Sequence, residues 1–167
     1  MRDDLPHTLK IATVWLLIGT AIFLAFEWVE HEKKQATFHA AGGVIEIRRA
    51  GDGHYHWPGT LNGRAVDFLV DTGASGVAIP VELARELGLD SEGQVHANTA
   101  GGAAIGQVMR VDLTLKGGVR VERLRVVALP GLADSPLLGM DVLGRLRWQQ
   151  QEGVLRIDLR SDGESNR

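Results

Sequence analysis

Asp71 lies where an apolar stretch of the chain runs into a turn. Phe68, Leu69 and Val70 precede it, and Thr72-Gly73-Ala74-Ser75 follows. This order predicts a carboxyl group at the end of a buried strand, where glycine allows close backbone approach and the hydroxyl groups can donate hydrogen bonds. Such a carboxyl group can take part in proton transfer. An aspartate after a strand also commonly begins a turn, and that structural alternative is open for Asp-Thr-Gly taken alone.

Two segments of the chain resemble the signatures of aspartic peptidases. Phe68 to Ser75 resembles the active-site segment, and Pro136 to Asp141, with Leu138 and Gly139 at its centre, resembles the second signature of the retroviral-like branch. The chain has one Asp-Thr-Gly segment, whereas pepsin-like enzymes have two on a longer chain. The resemblance is therefore to single-domain retropepsin-like peptidases, and within them to a bacterial membrane-anchored family. Further matching segments are Gly53-His54-Tyr55, Gly59 to Gly63, Ala84 to Leu89 and Asn98 to Gly102.

The number of carboxyl groups determines the predicted mechanism. Hydrolysis of a peptide bond by activated water needs one group that accepts a proton from water and one that donates a proton to the amide. Two aspartates about 3 Å apart can share one proton and fill both roles, because repulsion separates their ionisations. Because each chain has only one Asp-Thr-Gly segment, the second catalytic carboxyl group is predicted to come from Asp71 of another copy. The sequence predicts an aspartic endopeptidase that acts on protein or peptide substrates as a homodimer, without a cofactor.

The resemblance also implies roles for the residues around Asp71. Thr72 would lock the two active-site loops across the dimer axis, Gly73 would leave room for the shared water, and Ser75 would support the carboxylate. Ala74 takes the place of a hydroxyl residue that pepsin-like enzymes often have, which predicts a less acidic pH optimum than theirs. Asp141 is expected to form a structural ion pair, with Arg145 or Arg147 as candidate partners.

A glycine-rich stretch is the candidate flap over a bound peptide. Residues 94–106 have the small residues of a mobile hairpin, and the tip is predicted at Ala100, Gly101 and Gly102. An ordinary surface turn is the alternative.

The sequence gives less support to other kinds of site and to other functions. His54 and His56 alternate as residues on one strand face do, yet neither cysteine nor a close third ligand accompanies them, so no metal site is predicted. A net charge of -3 without a block of basic residues argues against nucleic acid as a partner. The alternative function is a non-catalytic retropepsin-fold module that binds peptides, or serves as a scaffold, at the membrane.

Turn signals at short intervals indicate an all-β domain. The chain has 21 glycines, and pairs such as Asn62-Gly63 and Gly117-Gly118 lie between apolar or β-branched stretches. These pairs predict hairpins that join residues 54–61 to 64–70 and residues 109–115 to 119–129. Short helices are predicted after Pro80 and over Met140 to Leu146, and a final strand over Val154 to Leu159. The predicted fold is a small closed barrel of retropepsin type with one or two short helices.

An apolar stretch near the N-terminus predicts a membrane anchor. From Ile11 to Phe26 the sequence has no charge, and about 20 residues, or roughly 30 Å as a helix, can cross a bilayer. A cleaved signal peptide and a buried helix are the alternatives. The predicted division is an N-terminal tail (1–8), a transmembrane helix (9–29), a linker (30–43), the peptidase domain (44–160) and a disordered tail (161–167). The family resemblance implies a single-pass protein of the bacterial inner membrane with a periplasmic catalytic domain.

Overall fold

The computed structural model describes residues 13, 15–23, 37–40, 43–99, 101–132 and 134–159. The chain divides into two compact units, residues 1–35 and 36–167. The predicted tails at residues 1–8 and 161–167 lie outside the described residues.

In the first unit, residues 15–23 form the helix α1. Trp15, Leu16 and Phe23 are exposed on it, and the hydroxyl of Thr20 donates to the carbonyl of Leu16 at 2.8 Å. The predicted anchor over residues 9–29 extends beyond the described residues at both ends. Within the part that the structure describes, no helix has the length and apolarity required to span a membrane.

The described residues of the second unit contain eleven strands and two short helices. Their bounds are β1 Thr37–Ala40, β2 Val44–Arg48, β3 His56–Leu61, β4 Arg64–Val70, β5 Ala78–Pro80, α2 Val81–Glu86, β6 Gly93–Thr99, β7 Gly102–Leu115, β8 Val119–Leu129, β9 Leu137–Leu138, α3 Met140–Leu143, β10 Arg147–Gln151 and β11 Val154–Asp158.

Six strands close into a ring, which confirms the predicted all-β barrel. The order around the ring is β8-β5-β9-β4-β3-β7, and β7 pairs with β8 to complete it. β1 adds to β8 and β6 adds to β7 as outer strands. β1 falls within the predicted linker over residues 30–43, so part of that segment is a strand, held by backbone pairing with β8 from Thr37↔Glu122 to Ala40↔Val119.

Left-handed turn residues join the hairpins at the predicted places. Asn62 (φ 47°) and Gly63 (φ 84°) link β3 to β4, as the type I′ turn requires. The side chain of Asn62 also accepts a hydrogen bond from the Asp112 backbone at 2.8 Å, which ties this turn to β7. Gly117 and Gly118, both with positive φ, link β7 to β8. β7 begins at Gly102 rather than at the predicted Met109, because its first half pairs with β6.

A smaller sheet of three strands, in the order β10-β11-β2, completes the unit. β10 and β11 form a hairpin around Glu152 (φ 50°) and Gly153 (φ 76°). The sequence predicts β11 but not β10, and the predicted helix over Met140–Leu146 ends at Leu143. The five residues of β10 are all exposed, so its sequence has no apolar alternation that could indicate a strand.

The apolar side chains inside the ring form one core. Trp57, Leu61 and Phe68 are at most 1% exposed, and Leu113 and Leu138 are fully buried. Full burial of one such side chain contributes roughly 1.5–3 kcal/mol. This core fixes the end of β4, the strand that leads to Asp71.

Candidate active site

Asp71 follows β4 directly and is held there by β9. The N–H of Leu69 donates to the carbonyl of Pro136 at 2.9 Å, and the N–H of Asp71 donates to the carbonyl of Leu138 at 3.1 Å. β4 and β9 are parallel, with Val70 opposite Leu138. The second signature therefore lies beside the strand that carries the candidate catalytic carboxyl group.

The turn after Asp71 orients its carboxyl group. Gly73 N–H donates to Asp71 Oδ1 at 2.8 Å, and Ala74 N–H donates to the Asp71 carbonyl at 3.3 Å. A Cβ atom at position 73 would lie 3.2 Å from Asp71 Oδ1, so glycine suits this close approach. Asp71 is half-buried, whereas Thr72 and Ser75 are exposed.

The predicted role of Thr72 concerns a dimer axis, and that of Ser75 is to support the Asp71 carboxylate; both stay predictions. In the described residues of the single chain, neither hydroxyl group donates a hydrogen bond to Asp71, and the Gly73 backbone holds the carboxyl group instead. Both hydroxyl groups are exposed beside Asp71 and accessible to a second molecule.

The first residues of helix α3 form hydrogen bonds with the turn that follows Asp71. Met140 N–H donates to the Ala74 carbonyl at 2.9 Å, and Asp141 N–H donates to the Ser75 carbonyl at 3.1 Å. Gly139 packs on the backbone of Gly76, where a Cβ atom at position 139 would lie 2.7 Å from the Gly76 Cα. Leu138 and Gly139, predicted as the second signature, therefore lie against the Asp-Thr-Gly turn.

Asp141 directs its side chain into this junction. Its Oδ2 accepts a hydrogen bond from Val77 N–H at 3.2 Å, and its Oδ1 is buried without a hydrogen-bond partner among the described residues. Burial raises the pKa of the Asp141 carboxyl group above its ordinary value, and the backbone N–H of Val77 and the charge of Arg145 oppose this rise. The charge of Arg145 lowers the pKa of Asp141, as an ion pair between the two residues would. The ion pair itself stays a prediction.

The predicted flap is a hairpin of β6 and β7. The strands pair from Gly93↔Val108 to Thr99↔Gly102, and the hydroxyl of Thr99 donates to the Gly102 carbonyl at 2.8 Å. Gly101 and Gly102 lie at its exposed end, and Ala100 lies outside the described residues. Gly106 packs against the side chains of Val127 and Leu129, so β8 supports the base of the hairpin.

His56 belongs to a cluster of polar side chains that was not predicted from the sequence. Its Nε2 lies 2.8 Å from Asp52 Oδ2 and its Nδ1 lies 3.2 Å from Asp67 Oδ2. The hydrogen bond with Asp52 raises the pKa of His56, and burial opposes the rise. His54 precedes β3 rather than sharing its face, and its backbone N–H donates to Asp52 Oδ1 at 2.9 Å. Asp52 is 15 positions from Asp67, so only the β3–β4 pairing reveals the cluster.

The described residues contain no group of three or more His, Asp or Glu side chains that could hold a metal ion. The carboxyl group of Asp71 and the backbone that orients it are the features of this site that bear on its chemistry. They suit proton transfer to and from water.

Comparison with known proteins assigns this arrangement to a family. Residues 57–145, just over half of the chain, match the family model described as "gag-polyprotein putative aspartyl protease". The chain belongs to this family. The matched range contains Asp71, the β6–β7 hairpin and the second signature, and the family is one of retropepsin-like aspartic peptidases.

A solved structure and two curated proteins are similar to this peptidase-family chain. A retropepsin-like aspartic protease from Rickettsia conorii is 26% identical, with a TM-score of 0.54 over 74% of this chain and 93% of that chain. An uncharacterized protein in the cobV 5' region of Sinorhizobium sp. is 33% identical over 64% of this chain and 47% of its own. Uncharacterized protein RP867 of Rickettsia prowazekii is 32% identical over 63% and 46%. The chain thus spans about half the length of these curated relatives.

Proposed function

We propose that this protein is an aspartic endopeptidase whose active site forms when two chains bring their Asp71 carboxyl groups together. The observation that carries the proposal is the geometry of Asp71, which closes a core strand and is fixed through its backbone by Leu138 and through its carboxyl group by Gly73. Family membership supports the same chemistry.

In the proposed mechanism the two carboxyl groups share one proton. The ionised group takes a proton from a water molecule, which attacks the carbonyl carbon of the peptide, and the protonated group donates to the carbonyl oxygen. The proton taken from water then passes to the leaving nitrogen as the C–N bond breaks. Such a pair titrates as a unit, so its two pKa values belong to the dimer rather than to either chain.

The contacts around Asp71 support this mechanism by limiting movement of the carboxyl group. A displacement of about 1 Å can cost a factor of about 100 in rate, and hydrogen bonds from both β9 and the turn oppose such a displacement. The β6–β7 hairpin is the proposed flap, which would cover an extended peptide and exclude water from the reaction.

Replacement of Asp71 by Asn tests the function. Hydrolysis of a mixed peptide library by the full chain should fall by at least about 1,000-fold, since neither proton transfer can be completed. Peptide binding should persist, because the asparagine keeps the size and one acceptor oxygen of the aspartate. An Asp90→Asn variant, which makes the same substitution at an exposed aspartate outside β4 and β9, is the control. Hydrolysis that survives in the Asn variant would exclude Asp71 as the catalytic group.

We also propose that the chain is attached to the bacterial inner membrane through its apolar N-terminal stretch, with the catalytic domain in the periplasm. The uncharged sequence from Ile11 to Phe26 supports attachment, and the side of the membrane follows from the family resemblance. Retention of the chain in the membrane fraction after an alkaline wash, with loss of that retention when residues 9–29 are deleted, is the expected result.

A further inference from the structure

Residues 49–55 form a turn that leads into β3, here called the entry turn, and its own hydrogen bonds hold it together. Ala50 N–H donates to the His54 carbonyl at 2.8 Å, and Gly53 N–H donates to the Ala50 carbonyl at 3.0 Å. The side chain of Asp52 adds a third bond, because its Oδ1 accepts from His54 N–H at 2.9 Å. The carboxyl group of Asp52 is therefore fixed within the turn.

The entry turn lies beside the strand that ends at Asp71. β3 pairs with β4, and His56 stands opposite Leu69. Val70 N–H donates to the Tyr55 carbonyl at 2.9 Å, so the pairing continues beyond β3 into the turn. The turn is thus bonded to the residue that immediately precedes Asp71.

His56 joins the entry turn to β4 through both nitrogen atoms of its ring. Nε2 lies 2.8 Å from Asp52 Oδ2 in the turn, and Nδ1 lies 3.2 Å from Asp67 Oδ2 on β4. The side chain of His56 is 25% exposed, whereas both carboxyl groups are about half-exposed. Among the described residues these two carboxylates are the charged groups that act on the ring, and the charge of His54 acts on Asp52.

This geometry requires a proton on each ring nitrogen of His56. A neutral imidazole has one N–H group, so its other nitrogen would direct a lone pair at a carboxylate oxygen. An imidazolium ion donates from both nitrogens, to Asp52 and to Asp67 at the same time. The hydrogen bond with Asp52 accordingly raises the pKa of His56, although burial opposes the rise.

We propose that His56 is a positioning residue for the proposed hydrolysis: in its protonated form it joins the entry turn to β4 and thereby fixes the strand end that carries Asp71. The inference rests on the proposed function, since a positioning role exists only for an active site. When the ring loses a proton, one carboxylate faces a lone pair, and the turn separates from β4 more readily.

The expected effect of His56 on the reaction is partial. Its partners are half-exposed carboxylates, and ion pairs of this kind are weak. Asp71 is also held by β9, because its N–H donates to the Leu138 carbonyl. Loss of the His56 contacts should therefore lower kcat about 2- to 5-fold. KM should stay nearly unchanged, because the loss displaces Asp71 and removes no contact with the peptide.

Hydrogen exchange of the full chain tests the structural part of the proposal without reference to activity. The measured quantity is the protection factor of the Val70 amide, which is bonded to the Tyr55 carbonyl of the turn. In the wild type it should be about 2- to 5-fold higher at about pH 5.5 than at about pH 8, because His56 loses a ring proton between these values. His56→Gln should show the lower protection at both pH values.

Two further variants show whether the contact with β4 is responsible. Asp67→Asn removes the same contact from the β4 side at nearly constant size, and should reproduce the loss of protection at about pH 5.5. Arg64→Gln is the matched control, because it removes an exposed ion pair, with Glu86 at 3.0 Å, from the other end of β4. Its Val70 amide should follow that of the wild type at both pH values.

The kinetics of peptide hydrolysis test the positioning role. At about pH 5.5, kcat of His56→Gln should lie about 2- to 5-fold below that of the wild type, and at about pH 8 the two values should converge. The ratio of the two proteins cancels the titration of the Asp71 pair, which they share. An effect on overall stability alone would not change this ratio with pH at a temperature where both proteins are folded.

The outcomes separate this inference from the proposed function. Equal protection of the Val70 amide in the wild type and in His56→Gln, in a protein that cleaves peptides, would overturn the inference and leave the peptidase proposal intact. A difference in protection in a protein that cleaves no peptide would contradict the proposed function, and the positioning role with it. A difference in protection with equal kcat would show that His56 holds the turn without positioning Asp71.

Discussion

Among the described residues, one N–H group donates a hydrogen bond to the carboxyl group of Asp71. Gly73 N–H donates to Asp71 Oδ1 at 2.8 Å, and no donor among the described residues contacts Asp71 Oδ2. One oxygen is thus oriented by the turn, and the other is available to a water molecule or to a second carboxyl group. This division is compatible with the proposed sharing of a proton across a dimer axis.

Asp141 gives a prediction about stability and pH. Its carboxylate is partly buried, and burial raises its pKa, so ionisation destabilises the folded state at neutral pH and this cost disappears as pH falls through the raised pKa. Asp141→Asn keeps an acceptor for Val77 N–H and removes the charge. We expect its thermal midpoint at pH 7 to equal or exceed that of the wild type, with no gain near pH 3.

The matched variant Asp141→Ala removes the acceptor as well. Val77 N–H is then left without its partner, and the free energy of unfolding should fall by about 1–3 kcal/mol at both pH values. Thermal denaturation of both variants at pH 3 and pH 7 checks these expectations. A clear loss of stability for Asp141→Asn at pH 7 would instead show that an ion pair with an arginine outweighs the cost of burial.

His56 gives a second pH prediction. Its raised pKa means that its contribution to stability is complete below about pH 6.5 and is lost as pH rises through the raised value. The backbone N–H of His54 lowers the pKa of Asp52, whose contribution is complete above about pH 3.9 and is lost as pH falls through the lowered value. The thermal midpoint should therefore decline above pH 6.5 in the wild type and less in His56→Gln.

His54→Gln is the control for this measurement, because the side chain of His54 is exposed and the substitution keeps the backbone N–H that donates to Asp52. Its pH profile should follow that of the wild type. Identical profiles for His56→Gln and the wild type would mean that the contacts with Asp52 and Asp67 contribute nothing to folding.

At the scale of elements, the contact between the two signature segments depends on two glycines. A Cβ atom at Gly139 would overlap the backbone of Gly76, which cannot move aside as a flexible side chain could. Gly139→Ala should therefore push α3 away from the Asp71 turn, lowering the free energy of unfolding by about 1–3 kcal/mol and reducing kcat more than it raises KM. Gly51→Ala, which meets no atom within 4 Å, should change neither quantity. Unaltered kinetics in Gly139→Ala would show that this contact does not position Asp71.

The elements that the sequence predicts are those whose signals are local. Asn62-Gly63 and Gly117-Gly118 mark hairpins because their backbone conformations favour particular residues. The helix after Pro80 is confirmed as α2, and Gly88 (φ 60°) follows its end.

The elements that the sequence misses are held by distant partners. β10 has no buried face, β1 is fixed by pairing with β8, and β5 and β9 have three and two residues. The same limit applies to the site. The turn around Asp71 could be predicted from the local sequence Asp-Thr-Gly. The contact of Asp141 with Val77 could not, because it joins residues 64 positions apart. The His56 cluster could not be predicted either, because it depends on the register of two strands.

At the scale of the whole molecule, the proposed sharing of one active site by two chains predicts inhibition by an inactive copy. If chains exchange freely and a mixed dimer is inactive, an equal amount of Asp71→Asn should reduce the activity of a fixed amount of wild type to about half, and a ninefold excess to roughly a tenth. Peptide hydrolysis after equilibration of the mixtures measures this effect. A rate of hydrolysis that stays constant when the inactive variant is added would indicate that each chain is active alone.

The ring of strands has its fewest residue pairs at β9, the strand that holds Asp71 in place. β9 joins β4 through two residue pairs and β5 through the single pair Ala78↔Leu137, whereas β7 and β8 are joined along most of their length. Local opening with the lowest free energy is expected at such a sparsely bonded seam. Heating should therefore first release the Leu69 and Asp71 amides to exchange with solvent while the β7–β8 amides are still protected, so that the protein loses its chemistry before it loses its fold.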